Sequence, residues 1–504
     1  MSLIENISIG LGVALTWHNL LYCFVGVFLG MVVGVLPGIG PLATISLLLP
    51  ITFYLDPTTA IIMLGGVYYG GAYGGSITSI LLNLPGSTSA AVACLDGYPM
   101  TRQGRGGIAL LATTMASFFA AAIGIILMML FSPLIAAAAL QFGAAEYFAM
   151  MLLGLVAAST ISIGSPIKGY AMVILGVGAG CIGTDVNTGL TRFTFGIPEL
   201  YDGIGLAAVA VGLFGISELI ASIKESDQKV SDPKAFSFAS MIPTRDDVRR
   251  FWGPMLRGSA IGSLMGVLPG VGGTIASFMG YAVEKRISKE PERFGRGAIE
   301  GVTSPEAANN ACDQTAFIPT MTLGIPGSAV MALMLGALMI HGITPGPNLI
   351  TEKPDMFWGL VMSFWVGNVM LLLLNLPLIG IWIRILAIPF HILVPGILMI
   401  VCIGAYSINN SVFDVYVMLA FGALGYAMRL LDFPPAPLIL GFVLGPLMEE
   451  NLRRALLISR GDFMVFLERP ISAVLIVATA ALIAWAIWTA IRGPRQSVLE
   501  QPAD

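Results

Sequence analysis

Three hydroxyl residues, Ser87, Thr88 and Ser89, follow a Pro85-Gly86 pair inside an otherwise apolar run, and Ser328 follows Pro326-Gly327 in the same way. Proline removes a backbone donor and glycine frees the chain, so each pair is expected to break one helix and begin another. A helix start presents unpaired N–H groups and the positive end of its dipole. Hydroxyls there either cap the helix or join its amides around an anion, with no buried Arg required. An acid precedes the second break: Asp313 lies in NNACDQTAF, among Asn309, Asn310, Gln314, Thr315 and Thr320. Such oxygen-rich surroundings suit a sodium ion, and the carboxyl suits a proton. The chemistry on offer is reversible binding of an anion and a cation. Catalysis has little support. The hydroxyls have no His or Lys close in sequence, and His18, His341 and His391 are far apart. Five scattered cysteines suggest neither a disulfide frame nor a transition-metal site.

The elements that would position these groups are transmembrane helices. Of 504 residues, 56% are hydrophobic and 11% charged; soluble domains carry about 25% charged residues. Continuous apolar runs, such as 108–131, 203–223, 357–378 and 471–491, have the length of a bilayer span. A β-barrel would alternate instead. The expected fold is an all-α polytopic membrane protein, with roughly 10–12 transmembrane helices plus broken-helix or re-entrant hairpins. The first apolar run is too long for a signal-peptide core and lacks a basic leader, so a retained first helix is expected.

The sequence also contains itself twice. GVLPG occurs at Gly34–Gly38 and again at Gly266–Gly270, 232 residues on, and Gly30 and Gly40 recur at Gly262 and Gly272. LNLPGS at Leu82–Ser87 matches LGIPGS at Leu323–Ser328, 241 residues on. The nine extra residues fit the hydrophilic insert Glu284–Gly297. The expected division is a first repeat over 1–223, a cytoplasmic linker over 224–250, a second repeat over 251–450, and a terminal helix and tail over 451–504.

Lysine and arginine placement orients the halves. Lys224–Arg250 holds six basic residues and Glu284–Gly297 five, which puts both inside by the positive-inside rule. Their first-half counterparts, the N-terminus and Phe53–Thr58, hold none. Conversely Thr101–Gly107 is basic, while Gly342–Asp355 is nearly neutral. Equivalent loops thus fall on opposite faces, and two inverted-topology repeats are expected, with the N-terminus periplasmic. Arginines flank the last helix on both sides, which leaves its orientation open.

Matched interruptions of this kind mark a transporter's midplane site. Pro37-Gly38 and Pro269-Gly270 carry little side-chain chemistry and are expected to act as hinges or close-packing points. The plainer alternative for the other two pairs is a tight helical hairpin with an ordinary serine cap. Gly70, Gly71, Gly74 and Gly75 permit close backbone approach, to a ligand or another helix. Asp96 is expected at the interface, toward the basic loop.

The long motifs GVLPGIGPLATISLLLP (Gly34–Pro50), YYGGAYGGSITSILLNLPGSTSAAVACLDGYPM (Tyr68–Met100), GVLPGVGGTIASFMGYAVEKR (Gly266–Arg286) and EAANNACDQTAFIPTMTLGIPGSAVMALMLGALMIHGITPGP (Glu306–Pro347) resemble the large membrane subunit of the tripartite tricarboxylate transporters, the TctA type. The resemblance covers nearly the whole chain. It implies a secondary transporter in the bacterial inner membrane, driven by a sodium or proton gradient. It also implies two partners, a small membrane subunit and a periplasmic solute-binding protein that delivers a di- or tricarboxylate. No cofactor and no nucleic acid enter this picture. The chain has no GxxxxGK[ST] nucleotide loop, in keeping with a secondary rather than an ATP-driven system. On this reading the carboxylate lies between Asn83, Pro85, Gly86, Ser87, Thr88 and Ser89 on one side and Thr322, Gly324, Pro326, Gly327 and Ser328 on the other. The coupling cation lies near Ser76, Thr78, Asn310, Asp313 and Thr315. A passive channel, a structural subunit and a membrane-embedded enzyme are the rival readings, and dependence on an ion gradient separates the first from a transporter.

Overall fold

Proline and the N-cap residues set most helix starts. A computed structural model describes residues 2–36, 40–161, 165–185, 188–222, 241–268, 270–385 and 390–491. The first half runs α1 (Leu3–Ala14), α2 (Trp17–Gly34), α3 (Pro41–Thr52), α4 (Pro57–Leu82), α5 (Ala91–Arg102), α6 (Gly106–Ala139), α7 (Ala144–Ile161) and α8 (Pro166–Gly180). A two-residue antiparallel ladder, β1 (Gly183–Thr184) with β2 (Thr191–Arg192), leads to α9 (Leu206–Ala210) and α10 (Ser217–Ser222), joined by a π-helical turn. The second half runs α11 (Arg245–Val267), α12 (Gly272–Ile287), α13 (Glu300–Thr315), α14 (Phe317–Leu323), α15 (Ala329–Ile340), α16 (Leu349–Glu352), α17 (Pro354–Asn375), α18 (Ile379–Ile385), α19 (Phe390–Asn409), α20 (Val412–Leu430), α21 (Pro435–Ile458), α22 (Val465–Glu468) and α23 (Pro470–Ile491). Prolines occupy the first turns of α3, α4, α8, α17 and α21, where a missing N–H costs nothing.

The chain is an all-α, multi-pass membrane protein. Five of the described helices, α2, α6, α17, α20 and α23, are long and apolar enough to cross a bilayer, and seven shorter apolar helices of 10–17 residues accompany them. The expected domain boundaries at 250 and 450 fall inside α11 and α21, because both helices continue through them. Residues 223–240 of the expected linker lie outside the described residues.

Two helices that carry many polar or glycine residues, α4 and α13, are also among the most enclosed. Every residue from Thr59 to Leu81 of α4, and from Gly301 to Thr315 of α13, is buried. Hydrocarbon offers no partner to a hydroxyl, amide or carboxyl, so such helices are stable only when other helices shield them. Lipid-matching apolar side chains, including Val474, Val477 and Trp488 of α23, occupy the exterior.

Both buried helices are held by the same device. A Cβ at Gly26, Gly30 or Gly34 of α2 would lie 2.2, 2.4 and 2.5 Å from the carbonyl oxygens of Met63, Val67 and Gly71 on α4. At Gly258, Gly262 and Gly266 of α11 it would lie 2.3, 2.0 and 2.4 Å from those of Ser304, Ala308 and Cys312 on α13. The glycines are 232 residues apart and their acceptors 241 apart, the same two offsets as the sequence motifs. Only glycine permits backbones this close, which membrane helices use to gain packing contact. Gly70 and Gly74 reciprocate against Val27 and Met31, so those glycines serve helix packing.

The basic loops gather on one face. Arg105 pairs with Asp247, Gln103 Nε2 donates to the Arg296 carbonyl at 2.8 Å, and Arg250 reaches Glu290 at 3.0 Å and Glu300 at 3.2 Å. Thr101–Gly107, the insert Glu284–Gly297 and the start of α11 therefore share one side of the molecule.

Candidate functional site

The two Pro-Gly breaks produce the same local geometry. The helix before each ends on a left-handed residue at equivalent positions, Asn83 (φ 58°) and Gly324 (φ 70°). The chain then passes close to the end of α2 in the first half and of α11 in the second. A Cβ at Gly86 would lie 3.0 Å from the Gly34 carbonyl, and one at Gly327 would lie 3.3 Å from that of Gly266. The next serine also packs equivalently: Ser87 Cβ stands 3.3 Å from the Cβ position of Gly40, and Ser328 Cβ stands 3.5 Å from that of Gly272. The Gly270 N–H donates to the Gly327 carbonyl at 2.9 Å, which pins the second tip to the GVLPG loop. Pro37, Gly38 and Pro269 of the expected hinges lie outside the described residues; Gly270 (φ 81°) is inside them.

The tips differ in one respect. Ser328 caps α15 directly, accepting from the Met331 N–H at 3.3 Å. The helix expected at Ser87 begins instead at Ala91, after a turn in which Ser87 Oγ meets Ser89 Oγ at 3.0 Å and accepts from the Ala90 N–H at 3.3 Å. Asn83, Pro85 and Thr88 are exposed, whereas Gly324, Pro326 and Gly327 are buried. Thr322 is buried and turns its hydroxyl back to the Ile318 carbonyl at 2.7 Å.

The halves meet at these tips. The hydroxyls of Thr88 and Thr274 share a hydrogen bond of 2.8 Å, and Thr274 lies in the first turn of α12, two residues from the Gly272 that packs on Ser328. The starts of α3, α12 and α15 and the turn before α5 are thus linked in one chain of contacts. The first turns of α3 and α12 have no side-chain cap, so their amides are available to an anion. Beside them, a Cβ at Gly273 would lie 2.1 Å from Asn309 Oδ1 and 3.0 Å from Asp313 Oδ1. Asn309 Oδ1 is buried with no hydrogen-bond partner among the described residues, and the Asp313 carboxyl accepts from the Tyr68 hydroxyl at 2.5 Å. Two acceptor oxygens converging where glycine leaves space can hold a cation or a proton.

The structure divides the expected cation set. Asp313 stands at this junction. Thr315 bonds its own helix through the Ala311 carbonyl at 3.0 Å, and Thr78 ties α4 to the end of α2 through the Val35 carbonyl at 2.7 Å. Ser76 and Asn310 bond Glu306, on the same face of α13 but two turns away. Spacing in sequence groups these five, but helix rotation directs them to four different places. Glu306, Ser117, Tyr68 and Thr274 escaped the sequence reading. For Glu306 a signal existed, since it falls seven residues before Asp313 on one helical face. The others come from distant helices.

Tyr68 meets Asp313 while Ser76 meets Glu306, so α4 ascends as α13 descends. These motif-equivalent helices are antiparallel and face each other through long side chains. Asp96 of α5, expected at the interface, is instead fully buried: its Oδ1 accepts from the N–H groups of Gly295, Gly297 and Ala298 at 2.8–2.9 Å, and its Oδ2 from the Tyr281 hydroxyl at 3.0 Å. It fastens the insert across the halves.

The tripartite tricarboxylate transporter TctA family matches residues 20–440, a span that holds both hairpins and both glycine seams. A protein of Agrobacterium vitis described as "Uncharacterized 52.8 kDa protein in TAR-I ttuC' 3'region" is 50% identical over 499 residues, 99% of each chain. Another from that organism, "Uncharacterized protein in TAR-II ttuC' 3'region", is 54% identical over 237 residues, 47% of this chain and 98% of its own. No solved structure matches. With its duplicated hairpins inside the matched span, the chain belongs to the tripartite tricarboxylate transporter TctA family.

Proposed function

We propose that this chain is the transport subunit of an ion-coupled secondary transporter that imports di- and tricarboxylate anions across the bacterial inner membrane. The observation that carries the proposal is the convergence of the two Pro-Gly-Ser tips and neighbouring helix starts beside Asp313. Amides and hydroxyls from Ser87–Ser89 and Ser328 hold the carboxylate groups, and a sodium ion or proton binds next to them at Asp313 and Asn309. A site made of helix ends binds an anion without a fixed buried cation, so it also releases its cargo. The antiparallel run of α4 and α13, and the shared face of the basic loops, support two inverted repeats with a periplasmic N-terminus. Family membership supports a small membrane subunit and a periplasmic solute-binding protein as partners, and a transporter rather than an enzyme. Alternating access is a rigid movement of the hairpin-bearing portion.

The test is uptake of labelled di- and tricarboxylates into proteoliposomes holding this chain, the small subunit and the binding protein, with sodium and proton gradients imposed separately. Uptake that collapses with one gradient supports coupled transport and names the ion. Uptake that needs neither favours a channel, and an assembled complex that moves no carboxylate overturns the substrate class.

A further inference from the structure

One buried carboxyl takes no part in the site above. Glu306 is 3% exposed. Its side-chain partners among the described residues are all neutral: the Ser76 hydroxyl of α4, the Ser117 hydroxyl of α6 and the Asn310 amide one turn along α13. A carboxylate so placed, with no cation beside it, is strongly disfavoured.

The hydrogen bonds are also unequally shared. Oε1 meets Ser117 Oγ at 3.0 Å, Asn310 Nδ2 at 3.1 Å and Ser76 Oγ at 2.9 Å. Oε2 has one partner, and it is the same Ser76 Oγ, also at 2.9 Å. Ser76 Oγ in turn lies 3.4 Å from the Ala72 carbonyl. With no cation among these partners, a neutral acid fits the pattern. Oε1 is then the carbonyl oxygen, Oε2 carries the proton and donates it to Ser76 Oγ, and Ser76 donates onward.

We propose that Glu306 is a protonation site of the transport cycle, held as the neutral acid in this conformation. Release breaks the Oε2–H bond, hands the proton to water and leaves the electron pair on the carboxylate; uptake is the reverse. The acid links α4 of the first half to α6 and to α13 of the second. Losing its proton strands a charge between the halves, which is relieved only if water enters or α4 shifts. Proton occupancy is thereby tied to the α4–α13 contact. Two titratable groups lie in electrostatic reach, Tyr73 on α4 and Asp313 on α13. On the other helices against α13, Arg257 of α11 and Glu284 of α12 pair with each other, Asp96 of α5 and Tyr281 of α12 bond each other, and α6 faces Glu306 with Ser117.

The inference rests on the transport reading, which it deepens by making one coupled ion a proton. The test uses Glu306→Gln, near in shape to the neutral acid, in the complex with its small subunit and binding protein. In proteoliposomes the variant is expected to retain exchange of internal for external carboxylate and to lose accumulation driven by a pH gradient. Infrared difference spectra of wild type against variant should show the C=O band of a protonated carboxyl at neutral pH. Ser76→Ala should shift that band, which keeps the test open if the glutamine variant fails to fold. Gradient-driven accumulation by Glu306→Gln at the wild-type level, or spectra without the band, would overturn the proposal. If the wild type carries no carboxylate, the transport reading falls, while the infrared band still decides the protonation of Glu306.

Discussion

Replacing Asp96 with alanine should release the insert Glu284–Gly297 from the rest of the molecule. One carboxylate oxygen there accepts three backbone N–H groups, and the other accepts the Tyr281 hydroxyl. Asp96 itself is fully buried, as are Gly297 and Ala298. Alanine leaves the Gly297 and Ala298 amides without an acceptor and away from bulk water, whereas Gly295 is exposed and its amide can turn to solvent. A hydrogen bond to a charged group contributes about 1.5–3 kcal/mol. The two buried amide bonds at the low end sum to about 3 kcal/mol, which corresponds to exchange faster by roughly a hundredfold, since about 1.4 kcal/mol is tenfold. The cost is capped by local opening, because the insert can detach while the helices stay packed. The assay is hydrogen exchange at residues 295–298 in the detergent-solubilised protein, with tryptic cleavage at Lys289, Arg293 and Arg296 as a second readout. Asp96→Asn keeps one acceptor oxygen and should fall between the wild type and alanine. Wild-type protection of residues 295–298 in Asp96→Ala would refute the reasoning, since those amides would then have another acceptor.

Three further outcomes follow from the same geometry. Ser87→Ala combined with Ser328→Ala should weaken apparent substrate affinity while the protein still folds; the lost cap on α15 costs only about 1 kcal/mol, and unchanged affinity would remove these serines from the site. Gly262→Leu places a side chain where a Cβ already lies 2.0 Å from the Ala308 carbonyl; overpacking costs about 1–3 kcal/mol or more, so a clear fall in thermal stability by size-exclusion monitored melting is expected, with Gly30→Leu behaving alike. Hydrogen bonds from Arg250 and Arg293 hold the Glu290 carboxyl below its ordinary value of 4.5. Its contribution to stability is therefore present above that value and lost as pH falls through the lower folded one. Glu290→Gln should flatten this acid limb, and added salt should shrink it because the group is exposed; an unchanged pH profile would show that these pairs do not hold the insert.

Much of the fold was legible because its rules are local or periodic. Apolar runs of bilayer length need no tertiary information, and the basic character of the loops that share one face is plain in the sequence. The paired Pro-Gly breaks and the glycines at 30, 34, 262 and 266 also stand in the sequence, since close approach and chain reversal can be met by few residue types. The start of α5 was less legible. Proline, glycine and three hydroxyls permit either a cap at Ser87 or a turn ending at Ala90, and packing against Gly40 accompanies the turn.

What the sequence by itself determined is which residues could break helices, approach closely or carry charge. The tertiary structure alone decided which polar groups meet. Ser76 and Ser117 reach Glu306 from positions 230 and 189 residues away, and Tyr68 reaches Asp313 from 245 away. Those meetings depend on the rotation and depth of each helix, and glycine seams fix α4 against α2 and α13 against α11. A buried carboxyl looks the same in sequence whether an arginine, a serine or a lone tyrosine faces it. Its partner, and so its chemistry, is chosen by the packing of helices that lie far apart along the chain.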